Sequence, residues 1–307
     1  MTTVAAVDCG TNTVKLMVAE LDPATGRAEV LVREARMVRL GQDVDRTGAL
    51  APEALERTFT ALDEYAAIVG EHPVERIRFC ATSAARDARN GDVFADGVEA
   101  RLGVRPDVVA GAEEAQLSFD GAARNLRDRH PGPLLVVDIG GGSTELILGE
   151  VEEGAEQEHS MDIGSVRLHE RHLTADPPTD EQVAAAVADI EAALDTCPVD
   201  ATRAATVVGV GGTILTVAAG VLDLDRYDRD RIDQSVLTRA GVHAQTEALL
   251  TMTVEQRLAL PYMHPGRADV IGAGALVLDR VLRRTGVDSL VVSEADILDG
   301  IAWSLVS

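Results

Sequence analysis

Two stretches of this 307-residue chain carry the same order of residue types. Asp8-Cys9-Gly10-Thr11-Asn12-Thr13 follows the apolar run Val4 to Val7, and Asp138-Ile139-Gly140-Gly141-Gly142-Ser143-Thr144 follows Leu134 to Val137. Each starts with a carboxylate, passes through glycine and hydroxyl residues, and resumes as a strand, Val14 to Val18 in one case and Glu145 to Leu148 in the other. Glycine lets backbone N–H groups converge on phosphate oxygens, and Ser and Thr hydroxyls add donors. The carboxylates can hold a cation or orient water. The chemistry indicated is that of phosphate, and the separation of 130 positions predicts two similar lobes facing one cleft. Gly10, Thr11, Asn12 and Thr13 in one loop, and Gly140, Gly141, Gly142, Ser143 and Thr144 in the other, are the phosphate-binding candidates. Three consecutive glycines are costly to order, which favours close approach of a ligand over a plain tight turn.

The apolar pattern supplies the elements that must hold these loops. Val4 to Val7, Val14 to Ala19 and Glu29 to Val38 read as three strands, with Asp22-Pro23-Ala24-Thr25-Gly26 as a turn between the last two. Pro52 suits a first helical turn, and the helix it opens runs to about Val69. Ile77 to Cys80 reads as a buried strand, Val108 and Val109 as a short one, and Ala112 to about Leu126 as a helix. His130-Pro131-Gly132-Pro133 marks a linker, giving domains at 1–128 and 129–307, with a last helix at about 296–307 free to pack back on the first. Beyond the linker come two strands over 134–150, a third near His159 to Ile163, and helices around Val166–His172 and Thr179–Leu194. Thr206 to Val210 is a strand entering a glycine turn and a helix. Asp223 to Asp233, rich in Asp and Arg, reads as a solvated loop. Two helices occupy about 235–258 and a long one about Ala268–Arg284, before a strand at Ser289–Val292 and a helix at Ile297–Leu305. Hairpins that open each half and then alternate with helices predict an α/β fold with a mixed sheet in each lobe.

Several residues are ambiguous by type and spacing alone. In Gly111-Ala112-Glu113-Glu114-Ala115, acidic residues either offset the helix dipole or include a general base. Thr82-Ser83-Ala84-Ala85-Arg86 is a capped helix start with a surface Arg, or an anion site at a helix N-terminus. Lys15, the only lysine among 28 basic residues, alternates in direction with Val14 and Leu16. Gly209-Val210-Gly211-Gly212-Thr213 is a phosphate loop or an ordinary cap by Thr213. Asp138, then Glu145 and Asp8, are the metal candidates, since magnesium takes one or two carboxylates plus water and phosphate oxygens. Asp138 and Glu145 stand on the two limbs of one hairpin, although Glu145 also suits a loop cap. His169 and His172 share a helical face, but no acidic or Cys cluster accompanies them, and they read as surface or structural residues.

Together, Asp8 to Thr13, the Asp138-Ile139-Gly140-Gly141-Gly142-Ser143-Thr144-Glu145 string and Gly209 to Thr213 resemble the exopolyphosphatase and guanosine pentaphosphate phosphatase family. That family lies in the superfamily of actin, hexokinase and the heat-shock chaperone ATPases. The resemblance spans essentially the whole chain, and the Asp138–Glu145 string is its most specific part. It implies two ribonuclease-H-like lobes with an interlobe cleft. It also implies hydrolysis of the terminal phosphoanhydride of inorganic polyphosphate with Mg2+ or Mn2+. Removal of the γ-phosphate of guanosine pentaphosphate is the alternative within the family. A nonenzymatic sensor of polyphosphate or nucleotide, or a sugar kinase, is the alternative outside it. On this resemblance Glu114 is the base that deprotonates the attacking water, and Arg86 contacts substrate phosphate. Gly211, Gly212 and Thr213 border the phosphate site, and Lys15 is placed to face the cleft, where related folds carry a basic residue.

The chain departs from the family pattern near its C-terminus. In Ser293-Glu294-Ala295-Asp296-Ile297-Leu298-Asp299-Gly300, Leu298 and Asp299 stand where the resemblance implies Arg and Glu, which opens the question of substrate choice. Arg267-Ala268-Asp269 fits a family segment and reads mainly as a helix start. Longer relatives carry a further helical portion that adds dimer contacts and a groove for long polymer. With the sequence ending at Ser307, short polyphosphate is the expected substrate, and a homodimer stays open.

Composition narrows the partners. Hydrophobic residues make up 46% of the chain, enough for a core in each half, but aromatics are only 3%, so aliphatic side chains do the packing. No apolar run approaches the ~20 residues of a membrane span, and the first residues read as a strand, not as a signal peptide. Cys9, Cys80 and Cys197 are odd in number and far apart, which argues against a disulfide framework or a Cys zinc site. A net charge of −23 opposes binding to nucleic acid or anionic lipid. A cytoplasmic protein is expected, and a polyanionic substrate must be met locally by amides, a metal and a few cations.

Overall fold

A computed structural model describes residues 1–126 and 129–306. In chain order the first elements are β1 (Thr2–Cys9), β2 (Thr13–Asp22), β3 (Arg27–Met37), α1 (Val44–Thr47), α2 (Pro52–Gly70), β4 (Arg76–Ala81), α3 (Ser83–Asp87), α4 (Gly91–Leu102), β5 (Asp107–Val108) and α5 (Gly111–Leu126). There follow β6 (Leu134–Ile139), β7 (Thr144–Glu150), β8 (Gly154–Met161), α6 (Ser165–His172), α7 (Asp180–Thr196), β9 (Thr206–Val210), α8 (Gly211–Val221) and α9 (Arg229–Ile232). The last are β10 (Val236–Thr238), α10 (Arg239–Thr251), α11 (Val254–Leu258), α12 (Ile271–Arg284), β11 (Ser289–Val292) and α13 (Ile297–Ser304). Met1–Gly121 with Ile297–Ser307 forms one compact unit, and Ala122–Asp296 forms another. Residue 128, where the first domain is expected to end, lies outside the described residues, as does Ser307.

In the first unit the strand order is β3-β2-β1-β4-β5. β1, β2 and β3 form an antiparallel meander, while β1, β4 and β5 run parallel. β1 sits between β2 and β4 and is apolar on both faces, as a strand covered on both sides must be. Ala5, Val7 and Cys9 join Leu62 and Tyr65 of α2 and Phe94 and Val98 of α4 on one face. Val4, Ala6, Met17 and Ala19 join Leu117 of α5 and Leu298, Ile301 and Trp303 of α13 on the other. Leu298 is therefore a core residue, worth roughly 1.5–3 kcal/mol relative to exposure. Asp299 accepts from both terminal nitrogens of Arg33, at 3.0 and 2.9 Å. The two C-terminal departures from the family pattern thus dock α13 onto the sheet.

The second unit repeats the topology. Its order is β10-β11-β9-β6-β7-β8, with β6, β7 and β8 as the meander and β6, β9 and β11 parallel. Apart from the extra strand β10, each sheet has the ribonuclease-H-like order. Leu135, Val137 and Ile139 of β6 pack with Leu146 and Leu148 of β7, Ile190 of α7, Val217 of α8 and Leu278 of α12. Alternation turns Asp138 and Glu145 to the opposite face of this sheet from that core.

Three segments differ from expectation. Val236–Thr238 is a strand rather than the start of a helix, because β11 offers it an antiparallel partner. The charged segment Asp223–Asp233 is not simply a solvated loop, since Leu224 and Ile232 are buried and Asp228 caps a short helix through the Arg231 amide. Arg267 does not open a helix. It ends a 3-10 turn, Pro265–Arg267, and α12 begins only at Ile271.

Candidate active site

The two glycine loops close by the same hydrogen bond. The Gly10 amide donates to the Thr13 carbonyl and the Gly140 amide to the Ser143 carbonyl, each at 3.0 Å. The flanking strands are in the same register, so Asp8 stands opposite Lys15 and Asp138 opposite Glu145. Residues directly opposite in an antiparallel pair share a face with Cβ atoms about 4.5–5.5 Å apart. One hairpin therefore balances its own charge, with Lys15 Nζ 3.3 Å from Asp8 Oδ2. The other sets two carboxylates together.

In the first unit the chain after the loop ties it down. The Thr11 and Asn12 carbonyls accept from the amides of Gly41, Val38 and Arg39. The Thr11 hydroxyl lies 2.9 Å from that of Ser83, at the start of α3. Among the described residues the Thr11 amide donates to no protein acceptor. The Thr13 hydroxyl donates to the Met37 sulfur at 3.2 Å, and the Asn12 amide group to the same atom at 3.7 Å. At the carboxyl ends of β4 and β5, Arg86 donates to the Val109 carbonyl at 2.8 Å and to Glu114 at 3.2 Å. Glu114, in the first turn of α5, is only 7% exposed. Its neighbour Glu113 is exposed and pairs with Arg78 at 2.6 Å. Of the two adjacent glutamates, the helix turns one to a surface ion pair and the other to the interior against Arg86.

In the second unit the loop carbonyls are again occupied. Gly140 accepts from Ser165, Gly141 from Val166 and Arg167, and Gly142 from the Arg167 side chain at 2.7 Å. The amides of Gly141 and Gly142 donate to no protein acceptor among the described residues, so the loop presents donors. Glu145 is buried and accepts from the Ser160 hydroxyl at 2.7 Å. Gly211, at φ +84°, opens α8 against Asp138, so close that a Cβ there would lie 2.7 Å from Asp138 Oδ1. The first amides of α8 have no intrahelical acceptor, and no side chain caps them. Arg267 lies on the next residue, where a Cβ on Gly212 would come 2.1 Å from its terminal nitrogen. Among the described residues this guanidinium makes no ion pair or side-chain hydrogen bond.

The structure thus brings Gly140–Ser143, Asp138, Glu145, Gly211 and Gly212 together in one unit, and Gly10–Thr13, Asp8, Lys15, Arg86 and Glu114 into neighbouring strand ends of the other. Thr144 stands apart from this pattern. Its hydroxyl is buried and donates to the Ile163 carbonyl at 2.6 Å, so its proton serves the fold. Thr213 is buried beside Gly274 and is not the side-chain cap of α8. Asp8 faces the Lys15 ammonium, with which any cation would compete. Among the described residues no three His, Cys, Asp or Glu side chains gather as a metal cage. Arg267, whose Arg267-Ala268-Asp269 segment reads in the sequence mainly as a helix start, instead lies against Gly212. The signal that could have found it is the glycine pair Gly211-Gly212, which leaves room for a large neighbour.

A profile of the Ppx/GppA phosphatase family matches residues 17–307. The chain is 48% identical to exopolyphosphatase 2 of Mycobacterium tuberculosis, over 99% of both proteins. It superposes on the crystal structure of an exopolyphosphatase-like protein with a TM-score of 0.95 at 44% identity, covering 99% of this chain and 97% of the other. For the Aquifex aeolicus member of the Ppx/GppA family the TM-score is 0.83 at 30% identity, over 99% and 97% of the two chains.

Proposed function

The chain belongs to the Ppx/GppA phosphatase family, and from that premise we propose that it is an exopolyphosphatase releasing terminal phosphate from short inorganic polyphosphate. Similarity over the full length to an exopolyphosphatase supports this reading. The observation that carries it is Glu114, buried yet held by Arg86 at 3.2 Å where two parallel strands end. Open α/β sheets bind ligands at such strand ends.

Glu114 accepts a proton from water as its oxygen attacks the terminal phosphorus. The bridging P–O bond breaks, and the shortened polyphosphate leaves with that bond's electron pair. Arg86 bridges Glu114 and the terminal phosphoryl group. The amides of Gly141, Gly142 and the first turn of α8, with the Arg267 guanidinium, bind phosphate oxygens. Phosphoryl transfer depends mainly on such positioning and charge neutralisation. Asp138 and Glu145, opposite in register, fit the donor set that magnesium or manganese prefers and would hold the ion. When bound, the divalent cation neutralises phosphate charge.

The test is phosphate release from defined-length polyphosphates, guanosine pentaphosphate and ATP, with magnesium, manganese or chelator. Release from tripolyphosphate and its near homologues, lost with chelator, is expected. Release from guanosine pentaphosphate alone would transfer the reading to the family's other activity, and release from none would leave a sensor. We also take the protein to act in the cytoplasm, in keeping with its free cysteines. No helix among the described residues is long and apolar enough to cross a membrane. Sedimentation will decide whether it forms a homodimer.

A further inference from the structure

A buried pair of hydroxyls in the first unit has a proton to spare. Thr11, in the first glycine loop, and Ser83, the first residue of α3, are 72 positions apart, and their side-chain oxygens lie 2.9 Å from each other. Both residues are buried, Ser83 at 2% exposure and Thr11 at 6%. A hydroxyl brings one proton and two lone pairs. The bond between the two uses one proton, and among the described residues neither oxygen has another hydrogen-bond partner. The second proton is therefore without a protein acceptor, a condition in which buried donors are rarely left. The Thr11 amide, on the same residue, is in the same condition.

Packing fixes where the pair sits. The Thr11 carbonyl accepts from the Gly41 amide at 2.9 Å, and a Cβ on Gly41 would stand 2.3 Å from Thr11 Cγ2. The Thr11 methyl fills space that only a glycine leaves, and its hydroxyl is on the Ser83 side. On the other strand end, the Thr82 amide donates to the Cys9 carbonyl at 3.1 Å, and Ala84 and Ala85 belong to the core. Ser83 is thus held between two anchored neighbours. Later in the same short helix comes Arg86, which donates to Glu114 at 3.2 Å. An anion that takes the Thr11 amide meets Thr11 Oγ1 on the same residue. Both Thr11 donors can reach one oxygen only if Ser83 supplies the proton of the internal bond.

We propose that Ser83 is a positioning residue: it donates to Thr11 Oγ1 and so aims the Thr11 O–H, together with the Thr11 N–H, at one phosphate oxygen of the substrate. This rests on the phosphohydrolase reading for the identity of the ligand. The segment Thr82–Arg86 then serves twice, since Ser83 sets a donor for the substrate and Arg86 contacts the general base.

The test uses the full chain, tripolyphosphate and saturating magnesium. Ser83→Ala should raise KM about 3- to 10-fold with kcat within about twofold, the scale of a neutral hydrogen bond. Thr11→Val should raise KM about 10- to 100-fold, the scale of a bond to a charged group, while Thr11→Ser, which keeps the hydroxyl, should stay within about threefold of the wild type. In a Thr11→Val background, Ser83→Ala should change KM no further, because Ser83 acts through that hydroxyl. A purely structural tie would disturb Arg86, so a fall in kcat beyond about twofold in Ser83→Ala would overturn the proposal. So would an unchanged KM, a larger effect of Ser83→Ala than of Thr11→Val, or equal effects of Ser83→Ala with and without the Thr11 hydroxyl. If Thr11→Val does not fold, Thr11→Ala takes its place in the cycle. If the wild type binds tripolyphosphate in calorimetry but releases no phosphate, the functional reading fails while the same variants, read as Kd, still decide this one. A wild type that does not bind tripolyphosphate ends both.

Discussion

At the scale of single residues, two adjacent glutamates show how a helix assigns roles that the sequence leaves open. Glu113 and Glu114 both favour the positive end of α5, but only Glu114 is buried against Arg86. Glu114→Gln keeps the shape and removes the base, so kcat should fall about 100- to 10,000-fold with KM little changed. Steady-state phosphate release measures both, and near-normal turnover would refute the role. Arg86 touches the base as well as the expected substrate. Arg86→Ala should therefore lower kcat as well as raise KM, and an effect on KM alone would mean that Arg86 does not orient Glu114. Asp138→Asn halves the charge of the carboxylate pair opposite Glu145, and titration of activity with magnesium should show half-saturation displaced upward. An unchanged magnesium curve would remove Asp138 from the metal set. Asp138 was legible in the sequence, because a carboxylate at a strand end beside a glycine loop is a local pattern, whereas Glu114 and Arg86 became candidates only through the family resemblance. Arg267 was not legible, because its meaning depends on Gly212, more than fifty positions earlier, having no side chain.

At the scale of elements, the hairpin register and the helix contacts decide what the loops can do. Both hairpins place the residue seven positions after the Asp directly opposite it, and that residue is Lys15 in one and Glu145 in the other. The residue opposite the Asp is therefore a cation in one hairpin and a second carboxylate in the other. Helix α13 approaches α5 at Gly300, where a Cβ would stand 2.0 Å from the Leu117 carbonyl oxygen. Gly300→Ala must push the helices apart, so it should cost about 1–3 kcal/mol, as overpacking does. It should also lower activity, because α5 carries Glu114. Thermal melting and kcat measured together check this, and a variant with wild-type melting would mean that the helices relax freely. The strands and most helices were legible from apolar alternation and from Pro52. Strand β10 was not, since three residues with a helix behind them become a strand only through pairing with β11.

At the scale of the whole molecule, the charge of −23 opposes the approach of a polyanion, and salt screens that repulsion. We expect kcat/KM for tripolyphosphate to rise as potassium chloride goes from about 20 to about 200 mM at fixed free magnesium. A steep fall instead would show that local cations, not the net charge, govern encounter. The sequence by itself determined the chemistry and the class of fold. Glycine, hydroxyl and carboxylate residues in fixed order specify phosphate binding through backbone geometry that few other residues permit, and apolar periodicity specifies strands and helices. Only the tertiary structure decided which glutamate is buried, that Asp8 is balanced by Lys15, that Thr144 serves a carbonyl, and that Arg267 lies against Gly212. Those outcomes depend on side chains distant in sequence meeting at a distance of about 3 Å, and local residue preferences carry no term for that.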